Sequence, residues 1–178
     1  MLGPILQGER VQLEPPRPEQ APTFMRWFAD PEITRYLLVR VPPSQKQEEE
    51  WLEHMAKSPD DVLWAIHRRE DGGLVGTTGL HRIDWRHRHA WSGVLIGDKT
   101  AWSKGYATEA MRLRTGYAFQ ELGLEKLLTS VYAGNEASRR ALHKVGYHQC
   151  GLWRRNRFFD GQWHDEWLGE ILREEWKA

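Results

Sequence analysis

The stretch that decides the fold is 96–110, which reads IGDKTAWSKGYATEA. Apolar residues up to Ile96 end a strand, a short polar loop follows, and a helical pattern begins at Tyr106. A helix start carries unpaired N–H groups and a partial positive charge, so it can bind phosphate. Gly105 and the small Ala107 would let a pyrophosphate approach the backbone closely, and Lys104 adds a cation. From these residues alone, an ordinary strand-to-helix turn with a flexible glycine remains the alternative.

This loop resembles the coenzyme A loop of the GCN5-related N-acetyltransferases (GNAT). The family signature is Gln or Arg, two residues, Gly, one residue, then Gly or Ala. Gly105 and Ala107 match it, whereas Trp102 departs at the first position. That departure, with Ile-Gly-Asp-Lys before the loop and Gly-Tyr-Ala-Thr-Glu-Ala after it, is typical of the ribosomal-protein N-acetyltransferase-like branch. Ser103 stands where that branch often has glycine.

A second block, 135–147, resembles the later motif of the family, in which an asparagine precedes a helix that ends in Gly-aromatic. Here the asparagine is Asn135 and the ending is Gly146-Tyr147. On their own, Asn135 is equally well explained as an N-cap and Ser138 as a solvated serine of the first turn. With the tail at 161–176, the resemblance covers nearly the whole chain from Arg10 onward.

Hydrophobic periodicity predicts a mixed sheet with helices on both faces, that is, an α/β (α+β) fold in three layers. Ser44 and Gln47 form a capping-box pattern before a helix whose apolar stripe is predicted as Trp51, Leu52 and Met55. The predicted helices are 19–28, one that starts after Ser44, 106–122 and 135–145. The predicted strands are 10–14, 62–69, 74–83, 90–97, 127–132, 147–159 and 167–172. The resemblance adds the acyl-CoA N-acyltransferase fold, a mostly antiparallel sheet splayed between strands four and five.

The resemblance also implies the reaction and the site. The chain would transfer acetyl from acetyl-CoA to a primary amine, which attacks the thioester directly. The acceptor would be a small molecule or a peptide, with Trp27 and Tyr36 near it, although core packing explains both aromatics equally well. Ser138 would assist thiolate departure, because His143 follows Leu142 where many members have a tyrosine. The coenzyme-binding residues would be Leu95, Ile96, Gly97, Trp102, Ser103, Lys104, Gly105, Tyr106, Ala107, Thr108, Asn135 and Ser138.

The sequence leaves the general base open and argues against a metal site. The general base is not identified, because 164–166 (His-Asp-Glu) and a chain of water molecules are equally plausible. A metal site built from His81, Asp84, His87 and His89 is disfavoured, since the segment is rich in arginine and reads as an exposed hairpin. We therefore expect no metal.

Composition limits the classes of protein to which the chain could belong. With 25 basic and 25 acidic residues the formal net charge is zero, whereas nucleic-acid binders usually carry a basic excess. The single cysteine, Cys150, precludes an internal disulfide and favours a reducing compartment. No apolar run approaches the ~20 residues of a membrane span. We expect one cytoplasmic acetyltransferase domain over 1–178, without direct nucleic-acid or membrane binding, with a homodimer as an option. A non-catalytic acyl-CoA-binding regulator and a purely structural domain are the alternatives.

Overall fold

The computed structural model describes residues 1–37, 39 and 41–177. One eight-stranded sheet runs through the molecule in the order β1-β2-β3-β4-β5-β6-β8-β7. Its strands are β1 Leu6–Gln7, β2 Val11–Glu14, β3 Val62–Arg68, β4 Leu74–Asp84, β5 His89–Ile96, β6 Lys126–Tyr132, β7 His148–Phe159 and β8 Gln162–Leu172. The helices are α1 Ala21–Phe28, α2 Pro31–Thr34, α3 Gln45–Lys57, α4 Tyr106–Gln120 and α5 Glu136–Val145. Short 3₁₀ turns occupy Pro18–Gln20, Lys99–Ala101 and Arg173–Glu175.

Strand β3 shows how the sheet separates two packed layers. Because strand side chains alternate between faces, Leu63 joins the cluster under α1 and α3. Trp64 and Ile66, at the even positions, belong to the opposite face and join the larger cluster that includes the buried face of α4. The predicted three-layer α/β/α arrangement is confirmed.

The sheet is antiparallel everywhere except between β5 and β6. These two strands pair in parallel over only three positions, the last of which joins Trp91 and Leu128. Beyond it, β5 continues to Ile96 and β6 to Tyr132 without pairing to each other. The predicted splay is therefore present, and the fourth and fifth predicted strands are β5 and β6 because the short β1 precedes them.

Local signals in the sequence account for several helix ends. The Ser44–Gln47 capping box starts α3 as predicted, and Gly146 closes α5 with a left-handed φ of 110°. The predicted stripe of α3 is wrong at one position. Trp51 is 41% exposed, and Glu48 is buried on that face with Leu52 and Met55 instead.

The first and the last strand of the chain differ from expectation. Strand β1 was not predicted, because two residues are too few for a periodicity to register. Strand β8 begins at Gln162, five residues before the predicted start at Trp167. Strand β7, at the far edge, slips twice in register against β8, between Gln149 and Gly151 and between Trp153 and Arg157.

Candidate active site

The candidate site lies where β5 and β6 diverge, and the loop from β5 to α4 borders it. Asp98 starts this loop by accepting hydrogen bonds from the Thr100 backbone N–H at 2.9 Å and the Thr100 hydroxyl at 2.7 Å. The Trp102 indole N–H then donates to the Ile96 carbonyl at 2.9 Å. The residue that departs from the family signature thus ties the loop to the end of β5.

Two left-handed residues bring the loop into α4. Gly105 is the N-cap, with φ of 85° and no side-chain cap, so the first N–H groups of α4 lack a capping side chain. Ser103 also adopts a positive φ, of 61°. The loop therefore uses the backbone conformation that a glycine favours at position 103, although a serine stands there. Residues 102–105 are exposed, which leaves this helix start accessible.

Two cationic residues, Arg10 and Lys104, border the loop among mixed charges. The Arg10 guanidinium donates to the Lys104 carbonyl at 3.2 Å, and it would lie 3.4 Å from a Cβ placed on Gly105. Glu109, the acidic residue of the first turn, is turned toward the β1–β2 connection, where its carboxylate accepts from the Arg10 N–H. Arg10 was missed by sequence reasoning, because it is far from the loop in the chain.

A buried polar network marks the apex of the splay. Ser92 donates to the Leu128 carbonyl at 3.0 Å, and Thr129 donates to the Ser92 carbonyl at 3.1 Å. These side-chain bonds begin where the backbone ladder between β5 and β6 stops. The Tyr147 hydroxyl lies 3.1 Å from the Ser92 hydroxyl, so the segment after α5 is tied into the same network.

Arg114 of α4 belongs to this network and is 1% exposed. Its guanidinium donates to the Gly93 carbonyl at 2.6 Å, to the Thr78 hydroxyl at 2.9 Å and to the Tyr147 hydroxyl at 3.4 Å. Within 1–37, 39 and 41–177, no carboxylate forms an ion pair with it. A full positive charge therefore lies inside the protein next to the apex. The hydrophobic periodicity of α4 did not predict a buried arginine.

The start of α5 lies at the end of β6. The Asn135 side chain accepts from the Ser138 backbone N–H at 3.2 Å, so Asn135 is the N-cap of α5. Ser138 is half-buried in the first turn, and its hydroxyl has no hydrogen-bond partner among the residues that the structure describes. That hydroxyl is therefore available to a ligand.

The two predicted acceptor residues occupy different environments. Tyr36 donates to the Gly134 carbonyl at 3.2 Å and packs edge-on against Tyr132 and Phe159, with centroids 6.1 and 6.0 Å apart. Trp27 is only 8% exposed and lies flat on Gly97, where a Cβ would be 2.0 Å from the indole. Tyr36 thus closes over the β6–α5 connection, whereas Trp27 packs the end of β5 against α1.

The segment 164–166 was one option for the general base. Burial acts to raise the pKa of Glu166, but hydrogen bonds from Arg157, Ser130 and Asn156 outweigh it and hold the pKa below its usual value. His164 stacks on Phe159 at 3.7 Å, and Asp165 accepts from the Arg155 N–H at 2.8 Å. All three side chains are thus engaged by neighbouring groups of β6, β7 and the β7–β8 hairpin.

The four residues of the disfavoured metal site do not stay together. Asp84, His87 and His89 converge on the β4–β5 hairpin, where the His87 ring bonds the Asp84 carboxylate at 2.9 Å. His81 is separate and pairs with Asp61 instead, at 3.2 Å.

Acetyltransferases of known structure share this fold. The spermidine N-acetyltransferase from Vibrio cholerae, solved in complex with CoA and spermine, superposes with a TM-score of 0.87. It is 18% identical, over 94% of this chain and 98% of that one. An acetyltransferase structure from T. thermophilus is 31% identical over 97% of this chain and 90% of that one, with a TM-score of 0.78.

Sequence comparison gives the family. The acetyltransferase (GNAT) domain matches residues 10–148. The uncharacterized N-acetyltransferase YoaA of Bacillus subtilis is 30% identical over 173 residues, which cover 96% of this chain and 97% of that protein. The chain therefore belongs to the GNAT acetyltransferase family, and its enzyme class is acyltransferase. In the described residues, no helix combines the length and the apolar character that crossing a membrane requires.

Proposed function

We propose that this chain transfers the acetyl group of acetyl-CoA to a primary amine, in the manner of the ribosomal-protein N-acetyltransferase-like branch. The observation that carries the proposal is the uncapped, exposed start of α4 beside the splay. Backbone N–H groups of the loop 102–107 would hold the pyrophosphate, with Lys104, Arg10 and Thr108 nearby. The arm of the coenzyme would follow Leu95, Ile96 and Gly97 into the gap that β6 leaves open.

The chemistry needs charge stabilisation and two proton transfers. The acceptor nitrogen attacks the thioester carbon, the carbonyl oxygen becomes negative, and the carbon–sulfur bond then breaks to release the thiolate. A backbone N–H of β5 beside the thioester would donate to the oxyanion. Ser138 would donate a hydrogen bond to the departing sulfur, while Asn135 fixes the first turn that carries it. The buried Arg114 adds positive potential at the apex, which favours both developing negative charges.

The acceptor is a small-molecule or peptide amine, approached from the side that Tyr36 covers. Trp27 would shape the pocket from beneath by setting the position of the β5 end. A panel of α-amine peptides, spermidine, an aminoglycoside and amino acids, assayed by release of the coenzyme thiol, identifies the class. Release with none of them, combined with acetyl-CoA binding, would support the non-catalytic regulator instead.

The coenzyme site is tested by Gly105→Asp, which adds bulk and negative charge beside the pyrophosphate. We expect calorimetry to show at least a tenfold weaker acetyl-CoA affinity, about 1.4 kcal/mol. Gly123→Asp is the matched control, because Gly123 follows the same helix with φ of 64° but lies at its other end. Equal affinities for the two folded variants would show that the pyrophosphate binds elsewhere.

A further inference from the structure

The proposed function requires a general base, and the assignment of that base rests on the proposed function. The face of the sheet opposite α4 carries a suitable side chain. In β5, Ala90 joins the core on the α4 side, and Val94 packs against that core. Alternation therefore directs Trp91, Gly93 and Leu95 to the opposite face, the one that α1 and α3 cover further along the sheet.

His81 of β4 lies on that same face. Leu80 belongs to the α4 side, so its neighbours Gly79 and His81 point the other way. Gly79 pairs directly with Gly93 of β5, and these two glycines leave the middle of the face without side chains. A Cβ on Gly79 would lie 2.9 Å from His81 Nε2, and a Cβ on Gly93 would lie 3.9 Å from the same atom. The imidazole therefore extends over the glycine pair toward β5.

The tautomer of His81 is fixed by Asp61. His81 Nδ1 lies 3.2 Å from Asp61 Oδ1, and Asp61 also accepts from the Ser58 hydroxyl at 2.6 Å and from the Arg82 N–H at 3.2 Å. A carboxylate in that position holds the proton on Nδ1 and leaves the Nε2 lone pair free. Within the described ranges 1–37, 39 and 41–177, Nε2 has no hydrogen-bond partner.

The surroundings of His81 and Asp61 keep the imidazole of His81 neutral. Burial lowers the pKa of His81, and the repulsion of Arg114 and Arg82 adds to it, while Asp61 acts in the opposite direction. Burial acts to raise the pKa of Asp61, but hydrogen bonds from Ser58, Arg82 and His81 bring it below its usual value. The Met1 ammonium, which donates to the Asp61 carbonyl at 2.6 Å, is the other charge in the group. At neutral pH the pair is thus a carboxylate and a neutral imidazole.

The length of the coenzyme arm relates His81 to the reaction. About thirteen bonds separate the nearer phosphorus from the sulfur, so the extended arm spans about 16 Å. A strand rises about 3.3 Å per residue, so this length corresponds to about five residues of β5. Counted back from Gly97, where the proposed path of the arm along this strand begins, the sulfur would lie close to Ser92. An amine that attacks from the open face would therefore arrive beside His81 Nε2.

We propose that His81, held by Asp61, is the general base that accepts the proton of the acceptor ammonium. Nε2 takes that proton, the freed amine forms the carbon–nitrogen bond, and the carbon–sulfur bond breaks. The second proton of the nitrogen reaches the thiolate through Ser138 or solvent, and His81 returns its proton to solvent. Per acetyl group transferred, one proton is released and one thiol is formed.

The test compares His81→Ala and His81→Gln with His87→Ala, a histidine on the same hairpin segment whose side chain is 64% exposed. With the fastest acceptor of the panel, His81→Ala should lower kcat/KM at pH 7 by about 10²- to 10³-fold, with an unchanged acetyl-CoA Kd. The acid limb of the wild-type pH profile should disappear, and added imidazole should restore part of the rate. His81→Gln, which keeps a donor for Asp61, should show the same loss with a wild-type melting temperature.

Asp61 provides a second readout. Because its carboxylate favours the charged imidazole, Asp61→Asn should move the acid limb to lower pH and lower kcat/KM by about tenfold. If wild type is active and both His81 variants keep its rate and acid limb, His81 is not the base. If the wild-type protein binds acetyl-CoA but releases no thiol with any amine, the proposed function itself fails, and the base assignment fails with it.

Discussion

Gly97→Ala gives a direct test of how the end of β5 is packed. A Cβ on Gly97 would lie 2.0 Å from Trp27 Cδ2 and 2.3 Å from Cε3, whereas carbon atoms in contact lie about 3.5–4.0 Å apart. The indole would have to retreat by about 1.5 Å or more. It cannot do so freely, because it is 8% exposed and packs against Phe24 with centroids 5.6 Å apart.

Overpacking of this kind costs about 1–3 kcal/mol. For a chain of this size, 1 kcal/mol corresponds to about 2–4 °C in melting temperature, so Gly97→Ala should lower Tm by roughly 2–12 °C. Gly93→Ala is the control on the same strand, since its Cβ would have nothing closer than 3.9 Å. It should leave stability unchanged or raise it by up to about 1 kcal/mol.

A double-mutant cycle identifies the cause. Trp27→Leu removes the ring that the new methyl group meets, so Gly97→Ala should cost less in that background by about 0.5–3 kcal/mol. Calorimetric or chemical unfolding of the four proteins gives the coupling. A Gly97→Ala protein with the wild-type melting temperature, or a double-mutant cycle with no coupling energy, would refute the contact between Trp27 and Gly97.

Three other side chains carry expectations that can be measured directly. Ser138→Ala should lower kcat by about 10²-fold at most and leave the acetyl-CoA Kd unchanged, because the thiolate leaves with modest help; steady-state kinetics and calorimetry on one preparation decide this. Tyr36→Ala should raise the acceptor KM by a larger factor than the acetyl-CoA KM, and equal factors would indicate a packing defect. Burial raises the pKa of Glu48 from 4.5 to about 7, so the folded protein holds a proton that the unfolded chain releases, and stability falls as pH rises between these values. Glu48→Gln should therefore stabilise the protein by roughly 1–3 kcal/mol at pH 8 and little at pH 4, as urea unfolding would show.

The sequence predicted the features that depend on neighbouring residues. The capping box at Ser44, the glycine that ends α5 and the loop that opens α4 are all encoded within a few positions, and each is present. The alternation of apolar and polar residues along the strands was sufficient to predict the three layers. Periodicity did not distinguish Trp51 from Glu48, since both lie near the packed face of α3 and only the actual contacts decide which is covered.

The site was predictable only in part. The loop and the start of α5 could be located from short motifs, but their roles stay predictions. The pairing of His81 with Asp61 joins residues 20 positions apart through the sheet register, and Arg114 meets the apex from another element altogether. No local sequence pattern encodes these contacts, because they depend on which strands are neighbours and where their pairing stops.

The edge strand β7 is irregular in a way that bears on strand pairing between molecules. An edge strand of twelve residues exposes backbone groups that could recruit a strand of another molecule. Here the strand carries exposed Trp153 and Phe158, which would add to that hazard. The register slip between them, Arg155 with φ of 50°, and neighbouring arginine charges interrupt the flat edge. The opposite edge is only two residues long. The irregularity of β7 thus works against edge-to-edge strand pairing, and straightening the strand would be expected to promote fibrous aggregation.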